Sequence, residues 1–179
     1  MRSTKIEFKS SRGRLTQTYI EPPSAFMLER QQQLLPDWEV PIANVIVVLQ
    51  QSRILLKSTN PEVMQEKNYL REQFWRLGCN LVFRLRDSNY ISDIFDPRTG
   101  YPWLSSRGEI TLNDNAVVAA LLDFPVTAYK NCSLIEHPQW KEAVYPSTIV
   151  SNAPLKVLTS VLRQGIESLC TDKVNISIN

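Results

Sequence analysis

The stretch NYISDIFDPRTG, residues 89–100, decides how the chain is organised. Asn89 suits the left-handed conformation that ends a helix, a position usually given to glycine. The aromatic and β-branched residues after it favour a short strand. Asp96 and Pro97 then favour a turn, because aspartate bonds to nearby backbone and proline presets φ, and Gly100 can take a positive φ. The stretch therefore predicts a helix end, a strand and a turn in direct succession.

The segment before this stretch predicts a long helix over residues 61–86. Thr59 or Asn60 is its N-cap, and Pro61 suits the first turn. Gly78 interrupts the helix at a cost of about 1 kcal/mol relative to alanine, and its missing side chain leaves room for a close neighbour. The apolar residues of the helix fall in one narrow stripe, made of Val63, Leu70, Phe74, Leu77, Leu81 and Leu85.

Farther upstream, the continuous β-branched run at residues 44–50 predicts a central strand covered on both faces. Residues 54–56 are predicted to pair with it or extend it. Ser24 predicts the N-cap of a helix over residues 25–35. Before that, two short strands flanking Arg12 and Gly13 are predicted, and residues 1–18 are expected to be peripheral.

Downstream of Gly100, short strands are predicted at 103–104 and 109–112, and Asn113-Asp114-Asn115 predicts the cap of a helix over 116–122. Two antiparallel strands, 129–137 and 142–150, are predicted around a turn at Pro138-Gln139. Pro146 within the second indicates an edge or a bulge. A last helix over 154–170 is predicted to cover a sheet face or to form a dimer contact. Together these elements predict a single α+β domain over residues 1–179, with a mainly antiparallel sheet flanked by helices.

Composition limits the class of protein. The chain has 179 residues, 43% of them apolar and 21% charged, as is typical of one globular domain. A net charge of +2 is too small to indicate a nucleic-acid or membrane partner. We find no apolar run of about 18 residues, no signal-peptide pattern and no nucleotide-loop or zincin motif. Three cysteines without a CxxC pair indicate free thiols in a reducing cytosol, so we expect a cytoplasmic protein.

Few residues offer catalytic chemistry. His137 is the single histidine, and Cys132 precedes it by five positions, which places the two side chains on opposite faces of a strand. A Cys–His nucleophilic pair therefore fits poorly, and a structural histidine is favoured. Asp93 and Asp96 are three positions apart, which also opposes an acid–base pair, and Asp96 is favoured as a turn residue. We expect a protein that is not an enzyme.

Two motifs carry a family resemblance. The first is Tyr-x-x-Asp-apolar-apolar-Asp-Pro-x-x-Gly, formed by Tyr90, Asp93, Asp96, Pro97 and Gly100. The second is CSLIEH at residues 132–137, followed at matching distances by Trp140 and by Asn152-Ala153. With these motifs the chain resembles the methylmalonic aciduria and homocystinuria type D protein family, which takes part in cobalamin trafficking. The resemblance extends over about residues 19–153, with its firm motifs in the second half.

The resemblance implies a nitroreductase-like α+β domain that needs no tightly bound flavin and acts on cobalamin held by a partner, a cobalamin-carrier protein. It also implies that a cysteine thiolate at the start of the second motif ligates cobalt. The family commonly has two adjacent cysteines there, and the first is the ligand. This chain has Asn131 at the first position and Cys132 at the second, and a shift of one residue reverses the facing of a side chain on a strand. Asn131 and Cys132 are therefore the candidate cofactor-binding residues, with Cys132 the candidate cobalt ligand.

Two other functions stay open. Asn131 in place of a cysteine favours an interaction domain that forms homo-oligomers, such as a homodimer, and has lost cobalamin chemistry. A flavin-binding reductase is suggested only by analogy of fold, and the sequence has no clear phosphate-binding cluster for a flavin.

Overall fold

The computed structural model of the protein describes residues 4–10, 12–129 and 132–171. In chain order these residues form β1 (Thr4–Lys9), β2 (Leu15–Glu21), α1 (Ala25–Glu29), α2 (Gln31–Leu34), β3 (Asn44–Gln51), α3 (Pro61–Asp87), β4 (Ser92–Ile94), α4 (Asp114–Leu122), β5 (Val126–Tyr129), β6 (Cys132–Ile135), β7 (Val144–Ser151) and α5 (Leu155–Thr171).

The main sheet has five strands in the order β1-β2-β3-β7-β4, and every neighbouring pair in it is antiparallel. In the described part of the chain, strands β5 and β6 pair with each other as a separate two-stranded sheet. Helices lie on both sides of the main sheet, so the predicted α+β fold with a mainly antiparallel sheet is confirmed. The segment expected to be peripheral supplies the edge strand β1 and part of β2. The nitroreductase-like label stays a prediction.

Strand β3 is the centre of the sheet, as its β-branched run predicts. Val45, Val47 and Leu49 belong to the core on one face, and Ile46 and Val48 belong to the core on the other. All five side chains are fully buried. Since alternate residues of a strand point to opposite faces, a strand covered on both sides needs apolar residues at every position.

Helices α3 and α5 cover the face of the sheet on which Ile46 and Val48 lie. Asn60 caps α3 by accepting a hydrogen bond from the Val63 N–H, and Asn89 takes a positive φ of 64° after its end, as predicted. A Cβ at Gly78 would lie 2.9 Å from Ile94 Cδ1, so this glycine does admit a close neighbour. The buried residues of α5, Leu158, Leu162 and Ile166, join the same core. The last helix therefore covers a face of the sheet, and the dimer contact predicted for it stays a prediction.

The opposite face is covered by α1, α2, α4 and the small sheet. The single helix predicted over 25–35 is wrong, because the chain forms two short helices that break at Arg30. Ser24 caps the first of them as predicted. However, Met27 is the residue that α1 buries, whereas Phe26 and Leu28 are half exposed.

Three short segments predicted as strands have no strand structure, and they are residues 54–56, 103–104 and 109–112. Their backbone groups find partners elsewhere. The N–H groups of Leu104 and Ser105 donate to the Asp93 carboxylate, and the Ile110 N–H donates to the Gln33 carbonyl. Sequence patterns predict an extended backbone but not these long-range partners.

The hairpin predicted from strands 129–137 and 142–150 is also wrong. The first arm is β6, which pairs with β5, and the second is β7, which pairs with β3 and β4. Among the described residues of the two arms, the pairing between them is the bridge between His137 and Lys141. Pro146 is an edge residue as predicted, because β4 pairs with β7 only from Ile149 to Ser151 and ends before Pro146. The separation of β6 from β7 leaves an opening between them.

Candidate binding cleft

A cleft of about 410 Å³ lies where β6 and β7 separate. One wall is β6 from Ser133 to Ile135, and another is β7 from Val144 to Pro146. The start of α4, the Asp96 turn, and α3 with the loop before it supply the remaining lining residues, which include Asn113, Asp114, Asn115, Pro97, Lys67 and Leu56. The volume is within the range of small-ligand sites, and many of the lining residues are polar.

The start of α4 holds the two strands apart. The Asp114 carboxylate accepts a hydrogen bond of 2.6 Å from Thr148 Oγ1 on β7. The Asn115 Nδ2 group donates to the carbonyl and the hydroxyl of Ser133 on β6, at 2.7 and 3.0 Å. Neighbouring residues of one helix thus bond to different sheets. Part of the outer backbone edge of β6 thus has a side chain as its hydrogen-bond partner, and this edge does not pair with β7.

Two acidic groups of the cleft, Asp114 and Tyr145, have pKa values above their ordinary values. Burial raises the pKa of Asp114 to about 7, with the hydrogen bond from Thr148 lowering it and the charge of Asp96 raising it. Burial likewise raises the pKa of Tyr145 to about 12, and Asp114 raises it further. Because both pKa values are raised, the cleft disfavours negative charge.

Replacing Asp114 by asparagine is expected to stabilise the protein at high pH. The folded-state pKa lies above the unfolded value of 3.8, so the folded state binds more protons between pH 3.8 and about 7. The stability of the wild type relative to the variant therefore falls across this window and stays low above it. Asparagine cannot ionise and still accepts from Thr148. Since one pKa unit corresponds to about 1.4 kcal/mol and the cleft is open to water, we expect Asp114→Asn to gain about 2 kcal/mol at pH 8.

Urea unfolding of both proteins at pH 4, 6 and 8 measures this difference. The matched control is Asp123→Asn, the same substitution at the exposed other end of α4. An Asp114→Asn gain that is the same at pH 4 and pH 8 would contradict the ionisation argument.

His137 is a structural residue at the turn between the two arms. Its Nδ1 accepts hydrogen bonds from the N–H groups of Gln139 and Trp140, at 3.1 and 3.0 Å. The ring proton is therefore on Nε2, which lies 3.0 Å from Gln17 Oε1 and donates to it. Trp140 stacks on the imidazole with ring centres 4.0 Å apart. Burial is the largest cause that lowers the pKa of His137, to about 4, so the ring is neutral at neutral pH.

Asp93 and Asp96 do not form a carboxylate pair in a common site. Asp93 is fully buried and accepts from the N–H groups of Ile94, Trp103, Leu104 and Ser105, which fix the loop after the turn. The Asp96 carboxylate accepts from the Arg98 N–H and from Thr99 Oγ1, as a turn residue does.

The rest of the first motif is also structural. The Tyr90 N–H donates to the Leu85 carbonyl at the end of α3. Gly100 has a φ of 72°, and a Cβ there would lie 2.4 Å from the Leu112 carbonyl oxygen. Of the five residues that define the first motif, Pro97 lines the cleft.

The candidate cobalt ligand lies next to the cleft in sequence. Cys132 is the first residue of β6, paired with Tyr129, and the three residues after it line the cleft. Its side chain and the whole of Asn131 fall outside the described residues, so the facing predicted for them stays a prediction. Among described residues, no three His, Cys, Asp or Glu side chains form a metal site. No helix in the described part of the chain is long and apolar enough to cross a membrane.

Sequence reasoning missed Asp114 and Tyr145 as residues of the cleft. Asp114 was assigned only to the cap of α4, where Asn113 is the residue that caps by accepting from the Ala116 N–H. The available signal was the adjacent acidic and amide side chains at residues 113–115, which cannot all serve as the cap. Tyr145 carried no signal, since a tyrosine on a predicted strand is ordinary.

The fold and the cleft define an α+β domain with a polar cleft, its candidate binding site, where β6 and β7 separate. A model of the methylmalonic aciduria and homocystinuria type D protein family matches residues 12–162. The chain belongs to that family, which indicates a role in cobalamin metabolism. A comparison with curated proteins gives no match.

Proposed function

We propose that this protein is a cobalamin-trafficking adaptor that receives its cargo from a carrier protein and ligates cobalt through Cys132. The observation that carries the proposal is the position of Cys132 at the head of the strand that lines the cleft. Cobalamin bound along β6 would lie beside this thiol. Thiolate sulfur is a soft ligand suited to a late transition metal.

The ligation step needs no oxidant or reductant. The Cys132 thiol loses its proton to solvent, and the thiolate sulfur donates an electron pair to cobalt in place of an existing axial ligand. The oxidation state of cobalt does not change in this exchange. The protein supplies the thiol and, along the strand that Cys132 begins, a polar cleft.

The size of the cleft supports the need for a partner. A volume of about 410 Å³ suits a fragment or a small ligand. Cobalamin is much larger, so this cleft encloses only part of it. The rest of the cofactor would stay in contact with the carrier while the two proteins share it.

Mixing the protein with reduced cobalamin and a candidate carrier tests the proposal. We expect a change in the cobalt absorbance and EPR spectra that Cys132→Ala abolishes completely, together with a complex of the two proteins. Cys79→Ala is the matched control, because Cys79 is a free, half-buried thiol on α3 whose pKa is raised by burial. This variant should keep the full signal.

Two results would count against the proposal. If the spectra do not change and no complex forms, cobalamin handling through Cys132 is wrong. If light scattering shows a dimer that is the same with and without cobalamin, the result would instead favour the homo-oligomeric interaction domain.

A further inference from the structure

Three buried polar atoms belong to residues around a small cavity between the main sheet and α3. The cavity has a volume of about 10 Å³, and Arg14, Gln50 and Tyr69 are among the residues that line it. Arg14 Nε, Gln50 Oε1 and the Tyr69 hydroxyl are all buried, and within the described part of the chain none of the three has a hydrogen-bond partner. Buried polar groups in proteins are nearly always hydrogen-bonded, so these three atoms call for a common partner.

The three residues come from different elements that meet at the cavity. Arg14 directly precedes β2, Gln50 lies on β3 and Tyr69 lies on α3. Gln50 follows Ile46 and Val48 at intervals of two, so its side chain points to the face of the sheet that α3 covers. The Arg14 guanidinium lies over the Tyr69 ring, with Cζ 4.3 Å from the ring centre. All three side chains are therefore on the same side of the sheet.

An ion pair fixes the orientation of Arg14. Its Nη1 and Nη2 groups donate to the two carboxylate oxygens of Glu66 on α3, at 2.6 and 3.0 Å. The same carboxylate also accepts from Ser52 Oγ and from the Arg53 N–H. Arg14 cannot turn without breaking both of its own bonds, so its Nε–H stays in the interior and needs an acceptor there.

The volume and the chemistry of the cavity select water. One water molecule needs roughly 10–15 Å³ and two to four polar partners. Its oxygen can accept from the Arg14 Nε–H, and its hydrogens can bond to Gln50 Oε1 and to the Tyr69 hydroxyl. A metal cation would meet the positive guanidinium, and a small anion would meet the Gln50 carbonyl oxygen and the nearby Glu66 carboxylate. An organic ligand is larger than the cavity.

We propose that this cavity binds one water molecule, which bridges Arg14, Gln50 and Tyr69 and is an integral part of the fold. The bridge connects β2, β3 and α3 at the end of the sheet where Arg14 and Glu66 already join the first and last of these elements. None of the three bridged residues lines the cleft, so this site is independent of the proposed function.

Tyr69→Phe tests the bridge by the sign of its effect on the melting temperature of the 179-residue chain. If water bonds to the hydroxyl, its removal loses a hydrogen bond, and we expect the melting temperature to fall by about 2–4 °C. A buried hydroxyl that bonds to nothing costs free energy, so its removal would instead raise the melting temperature.

Tyr19→Phe is the matched control for this measurement. The Tyr19 hydroxyl donates directly to Gln17 Oε1 at 2.8 Å, so its loss sets the scale for one hydrogen bond in this protein. A fall in Tyr69→Phe of similar size supports the water bridge. A rise or an unchanged melting temperature in Tyr69→Phe overturns it.

A crystal structure of the wild type tests the site directly. We expect density for one water molecule within hydrogen-bond distance of Arg14 Nε, Gln50 Oε1 and the Tyr69 hydroxyl. In solution, the Arg14 Nε–H should show a nuclear Overhauser effect to water, with the sign that distinguishes contact from proton exchange. A cavity that is dry in the crystal, or that holds an ion or an additive, overturns the proposal whatever the melting temperatures show.

Discussion

Asp93→Asn is expected to lower the free energy of unfolding by about 3 kcal/mol, although the two side chains have nearly the same shape. The carboxylate is fully buried and is surrounded by backbone donors alone. Its Oδ1 accepts from Leu104 at 2.9 Å and its Oδ2 accepts from Ser105 at 2.6 Å, with further donors from Ile94 and Trp103. Asparagine would replace one oxygen by an NH₂ group that faces N–H groups. Buried donors would then lack acceptors, and each such loss costs about 1–3 kcal/mol.

Urea denaturation followed by circular dichroism measures the effect. The matched control is Asp96→Asn, the same change three residues away in an accessible turn. There the amide oxygen can still accept from the Arg98 N–H, so a loss under about 1 kcal/mol is expected. Equal losses in the two variants would show that the backbone donors around Asp93 do not carry the stability of this loop.

Gly108→Ala is expected to be the most disruptive substitution by a single methyl group. A Cβ at Gly108 would lie 1.9 Å from the Gln33 carbonyl oxygen and 2.7 Å from its carbon, both of them backbone atoms. No rotation of a side chain relieves this contact, so the loop and α2 have to separate. Their separation would break the hydrogen bond from the Ile110 N–H to the Gln33 carbonyl. We expect a loss of about 3 kcal/mol, at the upper end for an overpacked site.

Thermal unfolding of Gly108→Ala and of Gly165→Ala distinguishes backbone contact from the general effect of a glycine substitution. Gly165 lies within α5, and a Cβ there would lie 2.9 Å from Asn80 Oδ1, an atom of a side chain that can move. Alanine also favours a helix over glycine by about 1 kcal/mol. Gly165→Ala should therefore be neutral or stabilising, and an equal drop in melting temperature for both variants would refute the steric argument.

The sequence predicts those elements that are determined by residues close together in the chain. The cap at Asn60, the apolar stripe of α3 and the left-handed Asn89 all act within a few residues, and the structure confirms them. The burial of β3 on both faces is also predictable from nearby residues. Its side chains are apolar at successive positions, so both faces of the strand have to be covered.

Features that depend on distant partners were not predictable in this way. The hairpin predicted for β6 and β7 failed because Asn115 and Asp114, from a helix earlier in the chain, bond to Ser133 and Thr148. The same contacts create the cleft, so its residues could not be assembled from sequence spacing. The second motif begins at Cys132 and continues along β6, which lines the cleft, and the cobalt chemistry assigned to Cys132 stays a prediction.

The pairing of β3 with β7 also has a consequence for how the chain reaches its native state. Asn44 pairs with Ser151, so roughly a hundred residues separate the partners of the central ladder. Contacts between such distant residues slow folding, because the entropy of closing a long loop is lost before the contacts form. During synthesis the ribosome must release the chain through β7 before the sheet can close. Until then β3 lacks one of its two partner strands, and we expect this nascent intermediate to be the species that depends most on chaperones.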